Sequence, residues 1–437
     1  MKSGSDTCTK STGGAPMGTS RFEPLSADRL LADLRELSTI GQEPSGGITR
    51  LAYTPTEQAA RNWIAGKLRA MGLAVSVDAL GNVEGRPARR HGGPADDVLS
   101  GSHFDSVLHG GRFDGALGLV CAIHAVQTIR EAAPEAPVGV VAFAAEESTR
   151  FGTGCLGSRG LAGALAPDDL DRLVDDAGVS LRQALAALGL GTPDVTAARR
   201  EPGTWARAFL ELHIDQATDL QDAGVPVGIV TAIAAPLRLR VIVEGMASHS
   251  GATRMANRKD ALAAAAAVIL AVEGEGRRLE PSGAWTTVGN VRVEPGAFNT
   301  VPGRATLDVE IRAVDDRAMA AAMRAVQGRL RGVAADRGVE VSWTAVSRST
   351  PAVVPSALVA LLEEVCADLH VQAVPVVSRA AHDAMYAGQL APAGMLLVRN
   401  RSGLSHSHLE EVDTEDILVG ATVLAHAMWR LADQATV

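Results

Sequence analysis

The eight residues VGVVAFAA at 138–145 are apolar at every position. A strand with one face in water alternates, so an unbroken apolar run belongs to a sheet covered on both faces, as parallel sheets between helical layers are. VLSGS (98–102), AFLEL (208–212) and GMLLV (394–398) read the same way. Helical patterns at 26–72, at about 115 to 132, at 356–369 and at 414–433 lie between and around them, which predicts an α/β fold with a largely parallel mixed sheet flanked by helices. LAVSVDALGNVEG (73–85) alternates around a turn and predicts a strand pair beside that sheet.

Residues 235–347 follow a different order. Strands at 237–245, 285–293, 305–314 and 339–346, with helices at 258–274 and 316–336, spell β-α-β-β-α-β, the ferredoxin-like pattern with an antiparallel sheet. The α/β pattern resumes afterwards, so the expected organisation is a larger domain from 26–234 and 348–437 with a ferredoxin-like domain, 235–347, inserted into it. Two domains also suit a length of 437 residues. Residues 1–25 are Ser/Thr/Gly-rich and lack the apolar core of a signal peptide, which predicts a loose tail.

Charge and composition narrow the partners. A formal net charge of −9 and no Lys/Arg-rich run give no footprint for nucleic acid. The longest apolar stretch, LAAAAAVILAV (262–272), is too short to span a bilayer. Cys8, Cys121, Cys155 and Cys366 stand far apart with no C-x-x-C, the usage of a reduced, cytoplasmic protein.

Four apolar strands end in groups that metals favour. His103 and Asp105 follow VLSGS, Glu146 and Glu147 follow VGVVAFAA, His213 follows AFLEL, and the loop after GMLLVRN holds His406 and His408. Ligands bind beyond the carboxyl ends of strands in open α/β sheets, so these groups can converge, and Asp114 in the GGRFDG loop can join them. Imidazole and carboxylate together suit Zn, Mn, Co or Ni, and one carboxylate can bridge two such ions. Two ions acidify a shared water, and the second acid of a Glu pair can accept its proton. Each signal alone has a bland reading: Glu-Glu is usually a solvated helix start, and a lone His after a strand is usually a hydrogen-bonded loop residue. Asp105, two residues from His103, is better placed to orient that imidazole than to bind a metal. The coincidence of four strand ends carries the argument.

GSHFDSVLHGGRFDGALG, AAEESTRFG, ELHIDQ, GMASHSGATRM and GLSHSHLEE, in this order, resemble the hydantoinase/carbamoylase amidases of the dinuclear metal aminoacylase and carboxypeptidase superfamily. The resemblance spans about residues 28–430. It implies two divalent ions held by His103, Asp114, Glu147, His213 and His406, with Asp114 bridging, Glu146 as general base and Asp105 orienting His103. It also implies that Gln216, His249, Asn299 and Arg312 bind a small ureido-carboxylate substrate, Arg312 at its carboxylate and His249 and Asn299 from the partner subunit of a homodimer formed through the inserted domain. The implied reaction is cleavage of the carbamoyl C–N bond of an N-carbamoyl-L-amino acid or N-carbamoyl-β-alanine to amino acid, ammonia and carbon dioxide.

The chain departs from the family pattern in places. His408 replaces a usual Pro, Asp215 a Glu, Ala217-Thr218 a Gly-Pro, and Ala381 a Gly. None removes an expected ligand, and motif position favours His406 over His408. His382 and Asp383 are expected to support the ligands from behind, while His91, His109, His124, His370 and His426 are expected to be structural or solvated. Other readings are an allantoate or ureidoglycolate amidohydrolase, a metallo-aminoacylase or dipeptidase, and a non-catalytic metal-binding scaffold.

Overall fold

The computed structural model describes residues 24–88, 93–190 and 195–433. Cys8, His91 and residues 1–23 of the expected tail lie outside these. The chain begins with α1 (Ala27–Thr39), α2 (Pro55–Ala70), β1 (Leu73–Val77), β2 (Val83–Pro87), β3 (Val98–His103), α3 (Ala116–Ala132) and β4 (Val138–Phe143). Short helices α4 (Leu156–Leu161), α5 (Asp169–Arg172) and α6 (Leu181–Ala187) precede β5 (Ala208–Ile214), α7 (Asp219–Ala223) and β6 (Val227–Ile233). Then come β7 (Ala235–Glu244), β8 (Ser248–His249), α8 (Ala261–Leu279), β9 (Ala284–Glu294), β10 (Thr300–Val301), β11 (Arg304–Ala313), α9 (Asp316–Arg337) and β12 (Glu340–Arg348). The chain closes with β13 (Ala352–Val353), α10 (Ser356–Asp368), β14 (Ala373–Ser378), α11 (Ala384–Ala387), β15 (Ala393–Val398) and α12 (Thr414–Asp433).

The large sheet runs β1-β2-β4-β3-β5-β15-β6-β13, with β14 also on β6. Its centre, β4-β3-β5-β15, is parallel, and the β1–β2 hairpin and the β15–β6 step are antiparallel. β3, β4, β5 and β15 are buried at every residue; β4 and β15 are apolar throughout, while β3 and β5 also bury Ser100, Ser102, His103, Glu211 and His213. Helices cover both faces, and α3 and α12 contact the same central strands.

The smaller sheet is antiparallel and runs β12-β7-β11-β9, which is the 4-1-3-2 order of a ferredoxin-like unit. β11 alternates between buried and half-buried positions because α8 and α9 cover only one face. Its core, with Val241, Leu307, Ile311, Val268 and Val326, is separate from that of the large sheet. The β8–β10 pair forms a two-residue ribbon off its edge.

One expectation is corrected. Residues 26–72 are two helices, since Gly41, with φ +88°, and the EPSGG stretch turn the chain, and Pro55 begins α2 with Thr54 as its cap. Among the described residues no helix is long and apolar enough to cross a membrane, and Cys121, Cys155 and Cys366 are free and buried.

Candidate metal centre

The parallel strands deliver their carboxyl ends to one side of the sheet, and the polar groups meet there. His103 Nε2 is 3.6 Å and His213 Nε2 3.1 Å from the same Asp114 Oδ1, and the two Nε2 atoms are 3.5 Å apart. On the other side of Asp114, His406 Nε2 is 3.4 Å from Oδ2 and 3.3 Å from Glu147 Oε1. Glu146 Oε2 lies 4.0 Å from His103 Nε2. His103, Asp114 and His213 form one group of donors within 4.8 Å, Asp114, Glu147 and His406 a second, and His103, Glu146 and Glu147 a third. Asp114 belongs to the first two, the place of a bridging carboxylate. His408 is exposed and does not line the site.

Buried backbone contacts fix these groups. Asp105 accepts from Glu146 N and Glu147 N, each at 3.0 Å, so one carboxylate sets the position of both glutamates. Its Oδ1 lies 3.5 Å from His103 Nδ1, and its own carbonyl lies nearer, at 3.2 Å. Ala145, at φ +56°, turns the chain sharply into the Glu pair, a strained conformation held by its surroundings. Gly115 must be glycine: at φ +64°, a Cβ there would stand 2.4 Å from the His103 ring.

Sequence reasoning missed three acids or hydroxyls. Glu410 Oε2 accepts from Phe113 N at 3.0 Å and Asp114 N at 3.3 Å, so close to the loop that a Cβ on Gly111 would lie 1.9 Å from it. Ser405 donates to Asp114 Oδ2 at 3.0 Å. Glu211, buried on β5, accepts from Ser102 Oγ and from Ala384 N, each at 2.8 Å. The available signal for Glu211 was its period-2 spacing from His213. Glu410 lies in GLSHSHLEE, a stretch read for its histidines.

The electrostatics fit a cation. His103 Nδ1 faces the Asp105 carbonyl and His213 Nδ1 the Ile214 carbonyl at 3.1 Å, which in the neutral rings puts the protons there and turns both Nε2 atoms toward Asp114 Oδ1. Burial opposes charge on the two rings, but the hydrogen bonds to Asp114, and at His103 also to Asp105, draw both up, so this spot favours positive charge, as protons or as a metal ion. Burial pushes the Glu146 and Glu147 carboxyls up, Glu146 far and further raised by Glu147; the hydrogen bond from His406 partly offsets the rise at Glu147. That hydrogen bond to Glu147 draws His406 up to about 9. This set of His and carboxylate donors, with no Lys or Arg among them, can hold divalent metal.

A cleft of about 920 Å³ opens onto the centre. Gln216 and Arg312 line it, whereas His249 and Asn299 do not. Gln216 Nε2 donates to Ser405 Oγ at 3.0 Å and to Asp114 Oδ2 at 3.3 Å, and its buried Oε1 has no partner. His249 and Asn299 meet on the exposed ribbon, where Ser250 N donates to the Asn299 carbonyl at 3.0 Å. His249 Nδ1 accepts from Gly251 N and Ala252 N, which leaves Nε2 as the protonated, outward nitrogen. Behind the centre, the His382 ring meets His213 edge-on at 4.6 Å, and Asp383 accepts from Ser158 Oγ at 2.5 Å. His109 pairs with Glu43 and His124 with Asp33, both away from the cleft.

The profile of peptidase family M20/M25/M40 matches residues 94–430. The chain belongs to this family. Within it, the chain falls among the hydantoinase/carbamoylase amidases. It is 38% identical to the N-carbamoyl-L-amino acid amidohydrolase of Geobacillus stearothermophilus, over 93% of this chain and 99% of that one. It is 33% identical to a ureidoglycolate hydrolase of Arabidopsis thaliana, over 93% of this chain and 87% of that one. The solved structure of a hydantoinase/carbamoylase family amidase from Burkholderia multivorans superposes with a TM-score of 0.82 at 32% identity, covering 94% of this chain and 98% of that one. This M20-family member is therefore a hydrolase of the amidase type.

Proposed function

We propose that this enzyme hydrolyses the carbamoyl C–N bond of N-carbamoyl-L-amino acids, with residues 235–347 acting as a lid over the cleft. Two divalent ions, of Zn, Mn, Co or Ni and held by His103, Asp114, Glu147, His213 and His406, would polarise the ureido carbonyl and acidify water. Glu146 accepts the proton of the attacking water and returns it to the leaving nitrogen. The bond from the ureido carbon to the amino acid nitrogen breaks, and the carbamate released falls apart into ammonia and carbon dioxide. The Arg312 guanidinium, a planar fork of donors, receives the substrate carboxylate. His249 donates from Nε2 to the developing oxyanion and Asn299 binds beside it, both reaching the site across a homodimer, since in their own chain they lie outside the cleft.

The observation that carries this reading is the placement of a second carboxyl, Glu146, beside a two-sided donor cluster in a cleft that Arg312 also lines. A scaffold has no need of such a base. The test is ammonia release by enzyme reloaded with each metal, over N-carbamoyl-L-amino acids, N-carbamoyl-β-alanine, allantoate, ureidoglycolate and N-acetyl amino acids. Turnover of the carbamoyl amino acids is expected. In Glu146→Gln, kcat falls about 10³-fold with metal content unchanged; full activity in that variant would remove Glu146 from the mechanism. The second reading, a ureidoglycolate or allantoate amidohydrolase, is favoured by the similarity to the Arabidopsis enzyme and keeps the same residues in the same roles. Amino acid released from acetyl substrates alone would instead select the aminoacylase reading.

A further inference from the structure

Of the arginines on the smaller sheet that line the cleft, Arg238 and Arg312 share one carboxylate. Glu310 on β11 stands directly opposite Arg238 on β7, and Arg312, two residues along β11, emerges on the same face. Arg238 Nε donates to Glu310 Oε2 at 3.0 Å, and Arg312 Nε to Glu310 Oε1 at 2.6 Å. Each arginine also reaches across to the larger body. Arg238 Nη1 donates to the Gly152 carbonyl at 3.0 Å, in the loop that follows the Glu146–Glu147 pair. Arg312 Nη1 donates to the Arg379 carbonyl at 2.7 Å. Trp285, opposite Arg312 on β9, lies under the Arg379 guanidinium at 5.5 Å, which adds a third contact across the same seam.

A free arginine side chain samples many rotamers, and a carboxylate-binding arginine works best when its fork is already aimed. Glu310 occupies the Nε edge of Arg312, and Arg379 O takes one Nη1 proton, so the remaining Nη protons are the donors left for a ligand. Arg238 and Arg312 border the cleft and Glu310 does not, so Glu310 acts through them. The two arginines outweigh the cost of its partial burial and keep its carboxyl below the ordinary glutamate range, ionised and able to bind both.

We propose that Glu310 is a positioning residue that aims Arg312 at the substrate carboxylate and, through Arg238 and Arg312, latches the lid to the body at Gly152 and Arg379. The aiming role rests on the assignment of Arg312 to the substrate carboxylate; the latch does not.

The test uses full-length, metal-loaded Glu310→Ala and Glu310→Gln. KM for an N-carbamoyl amino acid is expected to rise about tenfold or more in Glu310→Ala, the worth of one charge-assisted hydrogen bond, with kcat within about threefold of the parent. Glu310→Gln keeps an acceptor without charge, so it falls between, and it serves alone if the alanine variant does not fold. For the matching N-carbamoyl amino acid amide, which lacks the carboxylate, KM is expected to stay level; an equal rise there overturns the aiming role. Amide hydrogen exchange at 150–154 and 379–381 is expected to quicken in both variants, and unchanged exchange overturns the latch. If the parent turns over no ureido substrate, the functional reading fails while the exchange experiment still decides the latch.

Discussion

Glu410 does not line the cleft, yet it holds the backbone of Phe113 and Asp114 through Oε2 while its other oxygen is buried without a partner. Its loop also supplies Ser405 and His406 to the opposite side of Asp114. One carboxylate therefore joins the two loops that meet at Asp114. Groups of this kind, which orient ligands without binding metal, typically contribute 10–100-fold in affinity. Glu410→Ala is expected to weaken metal binding by about that factor, measured by competition with a chromogenic chelator, with the far-UV circular dichroism unchanged. Gly111→Ala is expected to act in the same direction, because its new Cβ would lie 1.9 Å from Glu410 Oε2. Affinity equal to the parent in both variants would reduce Glu410 to a loop residue.

At the scale of elements, the turn between α1 and α2 depends on a residue that patterning cannot single out. Arg50 is buried, donates to the carbonyls of Leu37, Ile40 and Phe104, and has its guanidinium pushed down to about 10 by burial. Leu37 O also accepts from Ile40 N at 3.2 Å, so Arg50 adds a second donor there and caps the half-buried Ile40 carbonyl beyond the end of α1. Arg50→Met would remove these donors and the one to Phe104 O, at a cost of about 3 kcal/mol. The expected result is a Tm about 5 °C lower with metal content unchanged, read by calorimetry. Nothing in the residues around Arg50 announces its burial, although Gly41, the EPSGG stretch and Pro55 do mark the break between α1 and α2 that a reading of 26–72 as one helical segment passes over. The central strands were legible because burial on both faces leaves no polar position in VGVVAFAA, and the ferredoxin-like unit because its elements follow one another locally. The strand-end histidines and acids were legible for a related reason, as polar groups ending apolar runs. Glu410, Ser405 and the Glu310–Arg238 pair were not, since their partners lie up to hundreds of residues away and only the folded chain brings them together.

For the whole molecule, the arrangement gathers buried acids without arginine or lysine partners around the strand ends of one body, while the buried and half-buried acids Glu275 and Glu310 of the other are paired with arginines. Asp105, Asp114, Glu146, Glu147, Glu211 and Asp383 are all buried around the strand ends, and burial raises the carboxyls of Glu146, Glu147, Glu211 and Asp383. A bound cation would offset that repulsion in the folded state alone, so metal would stabilise the larger body by mass action, by about 2.7 kcal/mol at a hundredfold excess over Kd. The ferredoxin-like unit has its own core, with none of these acids in it. Two cores that respond differently need not unfold together. Calorimetry of the metal-loaded enzyme and of the same sample after exhaustive chelation is therefore expected to show the larger transition moving down by about 5 °C, and back on reloading, while the part of the heat absorption from the ferredoxin-like unit stays in place. A uniform downward shift of a single transition would mean that the seam at Gly152 and Arg379 couples the two cores more tightly than their separate packing implies. No shift on chelation would mean that the cluster of carboxylates is relieved by protons rather than by metal.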